Sequence, residues 1–324
     1  MTAAPCPKHM VHGPCGGVTP DLGCEVDGRP CPFVDAVVAE AAVEARHRAR
    51  PVDLGRFVID LRLPTDDAVL EEVAAIYRDV GATVLVGEHV DDPDDAAPHH
   101  HADRLAEVGL PCVVTVTGRR RSPDQHRAEI ERLVAAGVRA VHCITGDHPA
   151  ARFGPDATAT FTLDGAQLAG IARSAGAHVS VAESPIAPPG ERRAERVAMK
   201  ERAGADVVIL NHAGAPAAVA EFADGCAAAG GSVAVVAPVP VITDVSSARA
   251  LSQFPGVALP DGLTDRILAS DDPVETGVAA AVELGRELLG DDRFAAINLS
   301  GSATAAGPVE RARLMASVAE RLRS

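Results

Sequence analysis

From about residue 50 the chain alternates between two textures. Short runs rich in Val, Ile and Leu are followed by longer Ala/Glu/Arg-rich segments whose apolar residues recur at helical spacing. The runs predict strands at 56–61 (RFVIDL), 82–87 (ATVLVG), 111–117 (PCVVTVT), 139–145 (RAVHCIT), 178–184 (HVSVAES), 206–212 (DVVILNH), 232–241 (SVAVVAPVPV) and 294–300 (FAAINLS). The intervening segments predict helices at 66–81, 122–137 and 190–204, among others. Gly81, Gly109, Gly137, Gly176 and Gly204 each close a helical segment just ahead of the next strand, as left-handed C-caps do. Continuous apolar strands alternating with helices mean a parallel sheet covered on both faces. Eight such units predict a (β/α)8 TIM-type barrel, with a doubly wound open sheet as the alternative that counting leaves open. The last unit is longer, with helical stretches near 246–253, 262–269 and 273–289 before the eighth strand, and a helix at 308–323 ends the pattern. The stretch DDPDDAAPHHHAD (91–103) reads as a polar loop after strand two.

In a barrel, chemistry sits at the C-terminal ends of the strands. The polar residues predicted there are Asp60, Glu88, His89, Thr115, Thr117, Asp147, His148, Glu183, Asn211, His212 and Asn298. Loop starts are polar in any protein, so the set matters more than any one member. Asp60 can act as a general acid only if burial lifts its pKa, because an ordinary Asp near ~3.9 is already ionised at neutral pH. GSATAAG (301–307), after the last strand, reads equally as a phosphate-binding loop or a plain connection. There is no GxGxxG after a strand and no P-loop.

Composition narrows the partners. The 324 residues carry a formal charge of −15, which disfavours binding to a phosphate backbone, so no nucleic acid is expected. No apolar run approaches the ~20 residues that span a bilayer. The N-terminus lacks the basic-then-apolar layout of a signal peptide, so the chain reads as cytoplasmic. Trp is absent and Tyr77 is the only Tyr, which leaves few rings to stack on a base or flavin.

Residues 1–50 stand apart from the barrel of 51–324. Four of the seven cysteines fall in this extension, spaced Cys6-x8-Cys15-x8-Cys24-x6-Cys31 among many Pro and Gly residues. In a reducing compartment, clustered thiols point to a metal site more than to disulfides. The spacing is neither the paired CxxC of a zinc ribbon nor the tight run of a ferredoxin, so zinc and an iron–sulfur cluster both stay open. His9 or His12 can replace one thiol. Cys112, Cys143 and Cys226 lie in apolar runs and read as core. Adjacent histidines such as His99, His100 and His101 rarely converge on one ion.

Several phrases occur together in order. HCITGDHP (142–149), MKERAGADVVILNH (199–212), PVPVITDVSSARALSQFPGVALPD (238–261), GVAAAVELGRELL (277–289) and FVIDLRLP (57–64) resemble the methylenetetrahydrofolate reductase family over roughly 55–324. The opening stretch CPKHMVHGPCGG, with its later CEV and CPF, resembles the cysteine-rich metal-binding segment associated with such reductases. The resemblance implies NAD(P)H-dependent reduction of 5,10-methylenetetrahydrofolate to 5-methyltetrahydrofolate, with FAD as carrier in flavin-dependent members. By motif position it implies Asp60 as the acid that opens the folate ring and Asp147 as the acid beside the pterin. It likewise implies Asn211 as a pterin contact and Lys200 as a contact of the cofactor phosphates. Glu183 and Glu88 join the substrate-binding candidates, and Thr117 and His148 the cofactor-binding ones. Cys6, Cys15, Cys24 and Cys31 are the implied metal ligands.

The sequence departs from the family pattern at several of these positions. Asp60 stands in place of Glu, Thr145 in place of Arg, the threonines of VTVT in place of a His, and Asn211 in place of Gln. The aromatic expected after strand five is absent from VAESP. These departures remove contacts FAD would use and leave direct hydride transfer as the alternative. Binding of folate without turnover, and an accessory role beside a redox partner subunit or within a homo-oligomer, are the other readings.

Overall fold

The computed structural model describes residues 6–34, 47–89, 97–154, 156–252, 256–301 and 305–324. Eight parallel strands close into a barrel in chain order: β1 (Phe57–Leu61), β2 (Thr83–Val86), β3 (Cys112–Thr117), β4 (Ala140–Ile144), β5 (Val179–Glu183), β6 (Val207–Leu210), β7 (Ala234–Pro240) and β8 (Ala296–Ser300). Closure comes from the pairing of β1 with β8, where Val58 stands opposite Asn298. The open-sheet alternative is thereby excluded. The helices are α1 (Asp67–Asp79), α2 (Pro98–Glu107), α3 (Pro123–Ala135), α4 (Ala150–Phe153), α5 (Gly165–Ser174), α6 (Arg193–Ala203), α7 (Pro216–Ala228), α8 (Val245–Ser252), α9 (Leu263–Leu268), α10 (Pro273–Leu289) and α11 (Pro308–Arg323).

Local chemistry starts and stops these elements. Asp66 caps α1 by accepting from the Val69 N–H, and Ser122 with Gln125 closes a capping box on α3. Pro fills the first turn of α2, α3, α7, α10 and α11, where its missing N–H costs nothing. The five predicted C-cap glycines all have positive φ.

One expectation is corrected. The polar stretch 91–103 is not a loop throughout, because α2 starts at Pro98 and buries His101, Ala102 and Leu105 on one face. His99 is bonded through its N–H and Nδ1 to Glu129 of α3, which accounts for one member of the His triplet. Positions 91–96 lie outside the described residues, as do 302–304 of the GSATAAG segment and 253–255 of the 238–261 segment.

The period-2 alternation of the strands divides the core in two. Outward residues such as Ile59, Val84, Val114, Val141, Val181, Val208, Val239 and Leu299 pack against the helices. Inward residues Val58, Val113, Ala140, Val207, Ile209, Val236 and Ala296, with Leu54, form a separate apolar layer inside the barrel. That layer lies toward the N-terminal ends of the strands. Beyond it the inward positions turn polar: Asp60, Thr115, Thr117, His142, Ser180, Asn298 and Ser300. The barrel is thus dry at its floor and polar at its mouth.

Candidate functional site

Asp60 is the group this architecture singles out. It shares the inward face of β1 with Val58, one step above the apolar layer. Its Oδ1 accepts from Asn298 Nδ2 at 2.9 Å, and the same amide donates to the Val58 carbonyl at 3.2 Å. The residue as a whole is half-buried, while protein surrounds its carboxyl. Burial pushes its pKa up to about 6, against the lowering pull of Asn298, the Gly301 backbone and the Arg311 charge. Arg311 of α11 is itself buried, donates to the carbonyls of Val241 and Gly301, and has its pKa lowered by burial to about 10. It braces the loop behind the acid and attenuates the acid's pKa without pairing with it.

Two imidazoles share this interior. His142 Nδ1 meets Ser180 Oγ at 2.8 Å, and His212 Nε2 meets Ser300 Oγ at 2.6 Å. Burial lowers both pKa values to about 4, so both rings are neutral at physiological pH. Asn211, just past β6, donates to Ser184 Oγ at 2.7 Å.

The other predicted residues fall into separate groups. Glu88 is held by the Thr117 N–H at 2.7 Å, by Thr117 Oγ1 at 3.0 Å and by Arg121 at 2.8 Å, so Glu88 and Thr117 form one tied cluster beside the mouth. Asp147 is exposed on the loop after β4. His148 next to it accepts from the Ala150 N–H and stacks on Phe161 with ring centroids 5.7 Å apart. Thr145 Oγ1 accepts from Gly165 N and lies 3.3 Å from Met10 Sδ. Glu183 and Lys200 stand elsewhere. Glu183 follows Val179 and Val181 along the outward face of β5, toward α6. There it meets Lys200 at 2.7 Å, Arg193 at 3.2 Å and Arg196 at 3.5 Å, all buried. Burial alone would raise this carboxyl, but Lys200, Arg196 and Arg193 outweigh it and hold the pKa at about 2. Lys200 spends its ammonium on Glu183 and the Ala182 carbonyl.

Arg193 and Arg196 lead to the cysteine-rich segment. Arg193 donates to the carbonyls of Pro14 and Cys15, and Arg196 to that of His12. Asp164 secures the segment a second time. Its Oδ1 caps α5, and its Oδ2 accepts from the backbone N–H of Val11 at 2.9 Å and of His12 at 2.6 Å. Within the segment, a turn closes from Gly28 N to the Cys24 carbonyl, and Cys31 N reaches the Leu22 carbonyl. Cys6, Cys15, Cys24 and Cys31 line one small cavity, together with Lys8 and Phe33. Burial raises the thiol pKa values of Cys24 and Cys31, and the charges of neighbouring thiolates raise them further. As a donor set, four thiols around one cavity suit a thiophilic ion. In geometry they do not yet form a site: among the described residues no group of three His, Cys, Asp or Glu side chains is arranged to hold a metal.

Reading strand ends missed the residues that organise these clusters. Asp164, Arg193, Arg196 and Arg311 come from helices or their caps, and nothing local in their sequence marks them. Ser180 and His142 could have been found from the alternation of β4 and β5, which puts both indoors. Arg119 follows β3 in the GRRRSP run; it is buried, and its Nη1 has no partner among the described residues.

Among solved structures, the chain resembles an uncharacterized protein from Clostridium thermocellum that binds two copies of 5-methyl-5,6,7,8-tetrahydrofolic acid. The identity is 10%, the match covers 86% of this chain and 97% of that one, and the TM-score is 0.57, a likeness of fold. A structure described as native KDPGal follows at 14% identity, covering 85% and 97% of the two chains with a TM-score of 0.46. No curated protein matches the chain in sequence. The family profile described as methylenetetrahydrofolate reductase matches residues 92–305, well over half of the chain. The chain therefore belongs to the methylenetetrahydrofolate reductase family.

Proposed function

We propose that the chain is a cytoplasmic oxidoreductase that transfers hydride from NAD(P)H to 5,10-methylenetetrahydrofolate. In this reading the C–N bond to the bridging methylene opens as Asp60 delivers its proton to the departing folate nitrogen. Hydride then adds to the methylene carbon, giving 5-methyltetrahydrofolate and NAD(P)+. The observation that carries the reading is the Asp60 carboxyl, buried at the polar end of the barrel with a pKa of about 6. A general acid must hold its proton near the working pH, and an ordinary Asp does not. Asp147, at the mouth, is the charge that steadies the cation developing on the opened folate. Asn211 is the amide that reads the pterin edge.

In the loop after β4, Thr145 is spent on Gly165 and Met10, and His148 is already stacked on Phe161, so these residues offer a flavin neither a free charge nor an open ring. The four cysteines are assigned to a structural zinc, with no open position for chemistry. In support, they share one cavity. Among the described residues no helix is long and apolar enough to cross a membrane.

A second reading, binding of a methylated folate without turnover, is favoured by the ligand of the Clostridium thermocellum protein. One assay separates the two. Oxidation of NADH or NADPH that depends on methylenetetrahydrofolate supports the reductase. Calorimetric binding of 5-methyltetrahydrofolate with no such oxidation supports the binder, and neither response refutes both. Zinc content before and after chelation tests the cysteine assignment separately.

A further inference from the structure

The cysteine-rich segment does more than attach to the barrel. It is seated on the ends of β4 and β5, on the side where the polar mouth opens. Met10 lies against Thr145 just past β4. Lys8, buried and paired with Glu25, feels the charge of Asp147, and its own charge helps lower the pKa of His148 behind the larger effect of burial. Gly16 presses on Ser184 at the end of β5: a Cβ added to Gly16 would stand 2.7 Å from Ser184 Oγ. From the other side Gly256 closes on the Gly16 carbonyl, where a Cβ would come within 2.8 Å. Ser184 Oγ is the acceptor that orients the Asn211 amide.

From these contacts we propose that residues 6–34 form a wall of the barrel's ligand site, with Gly16 acting through Ser184 to position Asn211. Gly16 is a positioning residue here. It fixes where Ser184 Oγ can stand, and Ser184 fixes which way the amide of Asn211 points. A side chain at 16 forces a choice: Ser184 rotates away and Asn211 loses its acceptor, or the segment lifts off the strand ends. Both outcomes reach the ligand. The docking bonds from Asp164, Arg193 and Arg196 make lifting the costlier course, because each takes a hydrogen bond from a buried charged group. The ligand part of this inference rests on the folate reading above.

The test is Gly16→Ala, compared with Ser184→Ala, both in the full chain. The expected result is about a tenfold loss of 5-methyltetrahydrofolate affinity in each, the effect of one mis-set hydrogen bond. Zinc content and the urea midpoint of Gly16→Ala should stay at wild-type values, which separates a positioning effect from loss of the segment. Wild-type affinity in Gly16→Ala overturns the proposal. The side-chain amide resonances of Asn211 give a readout that needs no folate. If wild type and variants all fail to bind the folate, a shift of these resonances in Gly16→Ala upholds the wall and refutes only the ligand. Unshifted resonances overturn the wall itself. If Gly16→Ala does not fold, the same resonances are read in Ser184→Ala, with hydrogen exchange of residues 6–34. Unchanged signals there overturn the proposal as well.

Discussion

Asp60, one residue before the end of β1, and Glu183, the last residue of β5, stand on opposite sides of the same barrel, and both carboxyls are enclosed by protein. Asp60 has a pKa of about 6 and Glu183 of about 2. Burial raises both, so burial does not explain the difference. The face each occupies does. Asp60 points inward, to one amide and a distant guanidinium. Glu183 points outward into three buried cations. Strand parity alone separates a carboxyl that can give up a proton from one that serves as a structural anion.

The largest effect that could break this comparison is on turnover. Asp60→Asn is expected to lower methylenetetrahydrofolate-dependent oxidation by about 10²–10⁴-fold, with the circular dichroism unchanged. Undiminished turnover would strip Asp60 of its role. Glu183→Gln should act on stability instead. Leaving three cations without their anion is expected to cost ~3–5 kcal/mol in urea unfolding and to expose residues 6–34 to protease. A cost below ~1 kcal/mol would mean the cluster is no firmer than a surface pair.

The pH dependence should run in opposite directions for the two groups. Asp60 is raised, so its contribution to stability is complete below the ordinary Asp range and is lost as pH rises through about 6, at most ~3 kcal/mol. Glu183 is lowered, so its contribution is present above the ordinary Glu range and is lost as pH falls through about 2. Denaturation across pH in Asp60→Asn should flatten the first slope only, and in Glu183→Gln the second only. Turnover follows the neutral form of Asp60, so kcat/KM should fall about tenfold per pH unit above about 6.

Smaller shifts sharpen the comparison. Asn298 stabilises the Asp60 anion, so Asn298→Ala should move the falling limb of the pH profile up by about half a unit to one unit. An unmoved limb would mean the amide does not set the acid. Lys200 is committed to Glu183, so Lys200→Met should leave the KM for NAD(P)H within about twofold while lowering stability. A large rise in that KM would return Lys200 to the cofactor.

Much of the barrel was legible because its signals are local. β-branched runs, capping residues and C-cap glycines mark each unit, and all eight predicted strands form. The helix at 98–107 was hidden because three histidines and flanking Asp residues mask an apolar face made only by His101, Ala102 and Leu105. Asp60 was legible as an inward carboxyl near a strand end, but its pKa was not, since that depends on enclosure by distant parts of the chain, which raises it, set against Asn298, which lowers it. Glu183 could have been placed by the alternation Val179, Val181, Glu183, which puts it with the outward apolar residues. Its partners could not, because Arg193, Arg196 and Lys200 read as the charged face of an ordinary surface helix. The docking of the cysteine segment is a long-range contact with no local mark: Asp164 looks like any helix cap until its second oxygen is found holding Val11 and His12.

The apolar floor of the barrel has a consequence for proton traffic. Leu54, Val58, Val113, Ala140, Val207, Ile209, Val236 and Ala296 seal one end. Among the described residues, the floor therefore offers water no polar path to Asp60, and the mouth is the polar side. A ligand seated above the carboxyl cuts it off from bulk exchange. In the proposed reductase, the proton Asp60 donates is then the one loaded before the ligand arrived, and recharging waits for the product to leave. Protonation and product release become successive events on one path.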